Sequence, residues 1–397
     1  ISIDFQISHM GPDGNTSYEA SDPSVVYNWV TNEFLVTWLG RDDVGVETLR
    51  VYGQRLDTTG MEVGVDDFPI GNDNSSISRR PALTYNGTTN EFLVVWRNFG
   101  SNYRVLAQRL DGAGNEIGAD DFVVSGTNSA IPGDVSAAWN ADANEYLVVW
   151  SADDQPSVPD VEIYGQRLDA SGNELGQDDF RISQTGPDGD FDFSVMNPSL
   201  AYNSAEQEYL VVWQAANSLE EGSDEYEIFG QRLTSEGTPI GADDFRISDM
   251  GPDGDADWDA FKPSVAHNTV SNEYLVVWYG ADDEVLLMGP DSEEFGQRLD
   301  GVGNEIGVND FPISDTSVPW SNSIIYNADL DQYLVVWSGA NSADPIVPDQ
   351  TEIFGQLLSF PTVVLRFSDA YGAPGGQAVV AVTLETNEPL TGMQFRI

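Results

Sequence analysis

The sequence predicts an all-β chain folded as a six-bladed β-propeller, with four antiparallel strands in each blade. Three observations predict it. The motif Glu273-Tyr274-Leu275-Val276-Val277-Trp278 occurs in six copies, ending at Trp38, Trp96, Trp150, Trp213, Trp278 and Trp337. A near-constant period of this length marks one repeated structural unit rather than a set of unrelated domains. Each period also reads as four short extended segments, with no sustained helical periodicity. Finally, a segment missing from the last period is present at the other end of the chain.

Within a period the first segment is exemplified by Pro263-Ser264-Val265-Ala266-His267-Asn268. Its proline opens the strand where no ladder donor is needed. A turn, Thr269 to Asn272, leads to the Glu-Tyr-Leu-Val-Val-Trp segment, whose near-continuous apolar run suits a strand covered on both faces. A loop of variable length follows, then a third segment such as Glu162-Ile163-Tyr164-Gly165-Gln166-Arg167-Leu168. The turn Asp169-Ala170-Ser171-Gly172-Asn173 reverses the chain, since Asp, Asn and Gly supply side-chain bonding and positive φ. The fourth segment, Asp178-Asp179-Phe180-Arg181-Ile182-Ser183, alternates as a half-exposed strand should.

The sixth period has its third segment, Thr351 to Leu358, and then runs into Ser359-Phe360-Pro361 without a fourth. The missing pattern is Ser2-Ile3-Asp4-Phe5-Gln6-Ile7-Ser8 at the opposite terminus. The N-terminal strand is therefore expected to complete the last blade and to pair both exposed edges, an open solenoid being the other arrangement. This assigns residues 1–360 to the propeller and leaves 361–397 as a partial C-terminal β segment.

The chain carries 66 acidic and 16 basic side chains in 397 residues, a formal net charge of −50. Lys262 is the only lysine. Such a field disfavours nucleic acid as a partner, and no apolar run is long enough for membrane insertion. It suits either a saline environment, where screening relieves self-repulsion, or carboxylates neutralised by bound Ca²⁺. Cysteine is absent, which removes thiolate metal sites and cysteine nucleophiles. Sequons at Asn15, Asn74 and Asn86 permit glycosylation. The start at Ile1 reads as processed or trimmed.

Strand alternation sends the loops between second and third strands, and between blades, to one face. These loops vary in length and hold most of the clustered acid, and variable loops on a rigid scaffold are where function resides. Asp253, Asp255, Asp257 and Asp259 alternate in one blade-to-blade loop, Asp188, Asp190 and Asp192 in another, and Asp13 with Asn15 in a third. Oxygen ligands at alternate positions beside a flexible glycine can converge on Ca²⁺, although the flanking helices and last glutamate of an EF-hand are missing. Asp42-Asp43, Asp153-Asp154 and Asp282-Asp283 follow the motif tryptophans and add further candidate metal ligands. The recurrent Asp-Asp-Phe step reads as a strand-entry device. The recurrent glutamines, such as Gln166, read as ties between neighbouring strands. His9 and His267 are the only histidines, His267 stands where the repeat has tyrosine, and no nucleophile–histidine–acid set is apparent.

Two resemblances bear on identity. The Glu-Tyr-Leu-Val-Val-Trp and Phe-Gly-Gln-Arg-Leu motifs resemble repeats of large secreted surface proteins of bacteria and archaea. The segments Val363 to Phe367, Gly372 to Leu384 and Leu390 to Phe395 resemble the opening of a cohesin-like β-sandwich. The first implies a secreted or cell-surface location, with surface proteins or glycans as partners; the second implies further domains of the same chain. An enzyme should break its repeat symmetry at the central funnel, yet the strands opening at Pro23, Pro81, Pro198 and Pro263 look alike. The expectation is accordingly a non-enzymatic, Ca²⁺-stabilised extracellular module of a surface, adhesive or filament-associated protein. The alternatives are a glycan-binding or glycan-cleaving propeller and a Ca²⁺-dependent lactonase-like enzyme.

Overall fold

A computed structural model describes residues 6–11, 20–41, 49–71, 78–99, 103–126, 132–153, 161–186, 195–216, 225–252, 258–280, 293–314, 322–340, 351–360, 364–367 and 382–385. Blade one consists of Ala20–Asn28, Glu33–Gly40, Arg50–Asp57 and Glu62–Ile70, hydrogen-bonded in sequence order. Four more four-stranded antiparallel sheets repeat this order, and three strands of the sixth are described. The fold class is the expected one: all-β, six blades arranged as a propeller. No helix occurs among the described residues, so none of them forms a helix able to cross a membrane.

The first strands of successive blades are Ala20–Asn28, Ser78–Asn86, Pro132–Asn140, Val195–Asn203, Ala260–Asn268 and Asn322–Asn327. From blade one to blade six each touches the next, which makes them the inner wall of the propeller. The second strands are buried on both faces because a neighbouring blade lies against each face. Trp213 of blade four, fully buried, packs against Leu147, Val149, Ile163 and Ile182 of blade three. Trp278 of blade five packs in the same way on Leu210, Val212, Ile228 and Ile247 of blade four.

The recurrent polar residues hold each blade to the next. Gln166 Nε2 donates to the carbonyls of Arg167 and Leu175 at 2.9 and 3.3 Å, and Oε1 accepts the Asp179 N–H at 3.0 Å. Gln166 thus ties third and fourth strands across a bulge at which Asp179 has φ 43°. Asp179 Oδ2 in turn accepts the Gly126 N–H of blade two at 2.6 Å. Phe180 lies on Gly237 of blade four, where a Cβ would come within 2.7 Å of its ring and where φ is 83°. The Asp-Asp-Phe step is therefore a bulge and an inter-blade staple, repeated at Asp244 and Asp310. On the face with short turns, Asn86 Oδ1 caps the Thr88 and Thr89 N–H groups, and its Nδ2 donates to Asn144 of blade three at 2.8 Å. Fully buried by these contacts, Asn86 is no glycosylation site in the folded chain.

The seam between blades six and one is distinct. Residues 1–5 of the expected closing strand lie outside the described residues, but its end is placed. Ile7 and Met10 pack on Trp38 of blade one, as Ile247 and Met250 pack on Trp278 of blade five. The inner strands at this seam leave two apolar side chains in solvent. Val25 is 56% exposed against 7% for its counterparts Leu200 and Val265, and Ile325 is 50% exposed against 8% for its counterpart Ala266. Beyond the propeller, Val364–Phe367 pairs antiparallel with Val382–Glu385. The rest of residues 361–397, where the resemblance to a cohesin-like sandwich was expected, lies outside the described residues.

Candidate functional site at the channel mouth

The first strands all begin at the variable-loop end, and it is there that the repeat loses its symmetry. Counting back from the asparagine that ends each strand, equivalent positions hold Asp22, Arg80, Asp134, Asn197 and Lys262. Four of the five have positive φ, between 43° and 54°, at Asp22, Arg80, Asn197 and Lys262. The accompanying register break turns their side chains out of the ladder.

These side chains converge although they come from five blades. Arg80 forms an ion pair with Asp134 of blade three, and its Nη1 reaches Asn197 Oδ1 of blade four at 3.4 Å. Asn197 Nδ2 donates to Gln214 Oε1 at 2.6 Å, and the same oxygen accepts the Lys262 N–H at 2.9 Å. Burial lowers the Lys262 ammonium below its ordinary range; Arg80 adds to this, while Asp134 and Asp22 oppose it. Asp22 is exposed, and the Lys262 Nζ lies 5.8 Å from the centroid of the Tyr279 ring.

Beside this group is a second departure from the repeat. Glu294 stands in the third strand of blade five where blades three and four have Ile163 and Ile228, its N–H bonded to Ser314 as theirs are to Ser183 and Ser248. Its carboxyl is fully buried, and burial pushes it up to about 8, with the Asn322 amide opposing. Asn322 Nδ2 reaches Oε2 at 3.4 Å, whereas Oε1 has no hydrogen-bond partner among the described residues. Burial also raises the Tyr279 phenol, and the Glu294 and Asp259 charges add to it. Tyr279 thus feels both Glu294 and Arg80 and links the two halves of the mouth.

The expected metal ligands are placed only in part. Asp13, Asn15, Asp42, Asp43, Asp154, Asp188, Asp190, Asp192, Asp253, Asp255, Asp257, Asp282 and Asp283 lie outside the described residues. Asp259 is buried and accepts the Tyr226 N–H through Oδ1. Asp153 ends its strand half-buried. A different group is brought together at the seam: His9 Nδ1 lies 3.4 Å from Glu62 and 3.5 Å from Asp66, all three exposed. His267 packs as expected, its ring 5.0 Å from Tyr274 and its Nε2 3.1 Å from Asn272 Oδ1, with burial depressing the imidazole.

No family model and no curated protein matches the chain. Among solved structures the chain is similar to the GH93 α-L-arabinofuranosidase of Fusarium graminearum in complex with arabinobiose. The two share 12% identity and a TM-score of 0.55, over 87% of this chain and 96% of that one. It is similar to the α-L-arabinanase of Penicillium chrysogenum, at 9% identity and TM-score 0.54 over 85% and 93%. A protein of unknown function from Dyadobacter fermentans aligns at 12% identity and TM-score 0.54 over 86% and 95%. At these identities the likeness establishes the propeller fold.

The expectation of a non-enzymatic module is corrected here. Two propellers that share the fold are an α-L-arabinofuranosidase and an α-L-arabinanase, and the symmetry of the funnel, the ground for setting an enzyme aside, does not hold. Alignment on Pro23, Pro81, Pro198 and Pro263 conceals the break, because the residues that differ stand immediately before those prolines.

Proposed function

We propose that the chain is a glycan-cleaving propeller whose active site is the mouth of the central channel. The observation that carries this reading is the convergence of Asp22, Arg80, Asp134, Asn197 and Lys262 from five blades that are otherwise alike. A propeller that only holds its blades together has no use for four different kinds of side chain at one repeated position. The glycosidase activities of the similar propellers support the same reading.

Glycoside hydrolysis needs one carboxyl that holds a proton at working pH and one carboxylate that does not. Glu294 is the candidate acid, since burial keeps it protonated and Oε1 lacks a partner that a glycosidic oxygen could become. A substrate would have to displace Asn322 to reach it. Asp22, exposed at the mouth, is the candidate carboxylate that activates water or attacks the anomeric carbon. Arg80 and Lys262 fix the ring hydroxyls or acidic substituents of the sugar. A secreted or surface location, with the C-terminal segment opening a cohesin-like domain, is the setting we propose for this activity.

Release of reducing sugar from a panel of neutral and acidic polysaccharides tests the reading. The wild type should cleave at least one. Asp22→Asn and Glu294→Gln should each lower the rate by about 10²–10⁴-fold, the size of a general acid–base contribution. A wild type that cleaves none, or variants that cleave as well as it does, would overturn the assignment.

A further inference from the structure

One backbone bond recurs between neighbouring blades, and at one seam the side chain beside it differs in kind. The N–H shortly after the fourth strand of a blade donates to the aspartate before the phenylalanine of the next blade: Gly126 to Asp179, Gln184 to Asp244, and Asp249 to Asp310. His9 makes the same bond to Asp67. The N-terminal segment thus meets blade one as the ends of blades two, three and four meet their neighbours.

The fourth strand of blade one carries Glu62 at its start and Asp66 four positions on, and blade three carries Glu174 and Asp178 in the same places. The residue that bonds to blade three is Gly126, which has no side chain. Blade four has Pro239 and Asp243 with Gln184, and blade five has Glu305 and Asn309 with Asp249. Of these seams, that of His9 alone joins a ligand nitrogen to both a glutamate and an aspartate. The three ligand atoms lie within 4.8 Å of one another. His9 Nδ1 is 3.4 Å from Glu62 Oε1 and 3.5 Å from Asp66 Oδ1. A charge-assisted hydrogen bond between such groups is shorter, about 2.7–2.9 Å. Two ligands of a tetrahedral Zn²⁺, each about 2.0–2.2 Å from the ion, stand about 3.3–3.5 Å apart. The spacing is therefore that of two ligands on one ion. Asp67, the other acid beside His9, is already engaged: its Oδ2 accepts the His9 N–H, and burial pushes its carboxyl up. The frame is held from both sides, by Ile7 and Met10 on Trp38 and by the Asp67 N–H on Gln54 Oε1 at 3.0 Å.

We propose that His9, Glu62 and Asp66 bind a divalent transition-metal ion of the Zn²⁺ type, with water as the fourth ligand, and that the ion clips the N-terminal segment to blade one. The site is independent of the glycan-cleaving reading. Imidazole with carboxylate suits Zn²⁺, whereas Ca²⁺ takes oxygen ligands, so its chemistry differs from that expected of the aspartate loops. Two carboxylates this close repel each other, and in a chain of net charge −50 they draw a cation. One ligand comes from residues 6–11 and two from blade one, so the ion binds only while the segment is docked and stabilises that form.

Calorimetric titration of the untagged full chain, freed of metal by chelator, with ZnCl₂ in excess CaCl₂ tests this, the calcium covering the general acidic surface. The wild type should take up one Zn²⁺ per chain that calcium does not displace. His9→Gln gives position 9 the residue that blade three has in Gln184, so the fold is kept. It should weaken binding by at least about tenfold, the loss that follows removal of even a residue that only supports a ligand. Glu62→Gln and Asp66→Asn should each do the same. His267→Tyr, which removes the other histidine and restores the repeat residue, should bind as the wild type does. Amide hydrogen exchange in residues 6–11 should slow on addition of Zn²⁺ in the wild type and not in His9→Gln. No uptake of zinc would leave His9 an ion-pair partner only and overturn the proposal. An isotherm unchanged in His9→Gln, a site emptied by calcium, or zinc bound without slower exchange in residues 6–11 would overturn it as well.

Discussion

Glu294 occupies in blade five the position that Ile228 holds in blade four, with the same backbone bond to a serine hydroxyl just past the fourth strand. A carboxyl has thus been put where the repeat buries an aliphatic side chain. Glu294→Ile should therefore raise the denaturation midpoint, because it removes a buried group with an unpartnered oxygen and restores the apolar contact of the other blades. The same variant should abolish glycan cleavage. A lowered midpoint would show that Glu294 is held by partners that stabilise it.

The pH dependence of stability follows from the raised carboxyls. Burial lifts Glu294 to about 8 and Glu227 to about 7 from 4.5, and Asp179, Asp244 and Asp310 to about 6 from 3.8. The folded state holds these protons more tightly than the unfolded chain does. Their contribution is complete below the unfolded values and is lost as pH rises through the folded ones. Urea denaturation should show stability falling between about pH 5 and 8. Glu294→Gln should flatten the upper part of that slope, and an unchanged slope would contradict the placement of this side chain.

Met10 carries the junction of the N-terminal segment with blade one. It is 8% exposed, and its methyl lies against Gly40 as that of Met250 lies against Gly280. Met10→Ala should cost about 2–5 kcal/mol in chemical denaturation, the usual loss for a buried methionine. An unchanged midpoint would show that the segment is not part of the propeller core.

Trp213 sits between blades three and four with no exposed surface. Trp213→Ala should destabilise by about 3–5 kcal/mol while leaving the affinity of the folded fraction for glycan unchanged. Loss of binding at full stability would instead make the repeated tryptophans a recognition surface.

Calcium remains a proposal, resting on the alternating aspartates around Asp255 and Asp257. A cation that binds only the folded chain adds about 2.7 kcal/mol at a hundredfold excess over Kd. Ca²⁺ should raise the melting temperature, chelator should reverse it, and Asp255→Ala with Asp257→Ala should shrink the effect. Sodium chloride at equal ionic strength reproducing the whole rise would assign the acid to general screening.

What the sequence determined by itself is what local chemistry repeats. Alternation in the fourth strands, the apolar run before each tryptophan and the Asp-Gly-Asn turns act over a few residues, so six copies announce six blades. Even the tie made by Gln166 was legible, because a residue present in every blade serves the blade. The site was not legible in this way, since it lies where the copies differ and where distant segments meet. Arg80 and Asn197 are 117 positions apart along the chain and 3.4 Å apart in space, brought together only by the curvature of packed blades around an axis. The repeat register puts Glu294, not Glu293, at the buried position of Ile163 and Ile228, but it does not say what faces the carboxyl there. The tertiary structure decides that, by bringing Asn322 of blade six to a fully buried Glu294.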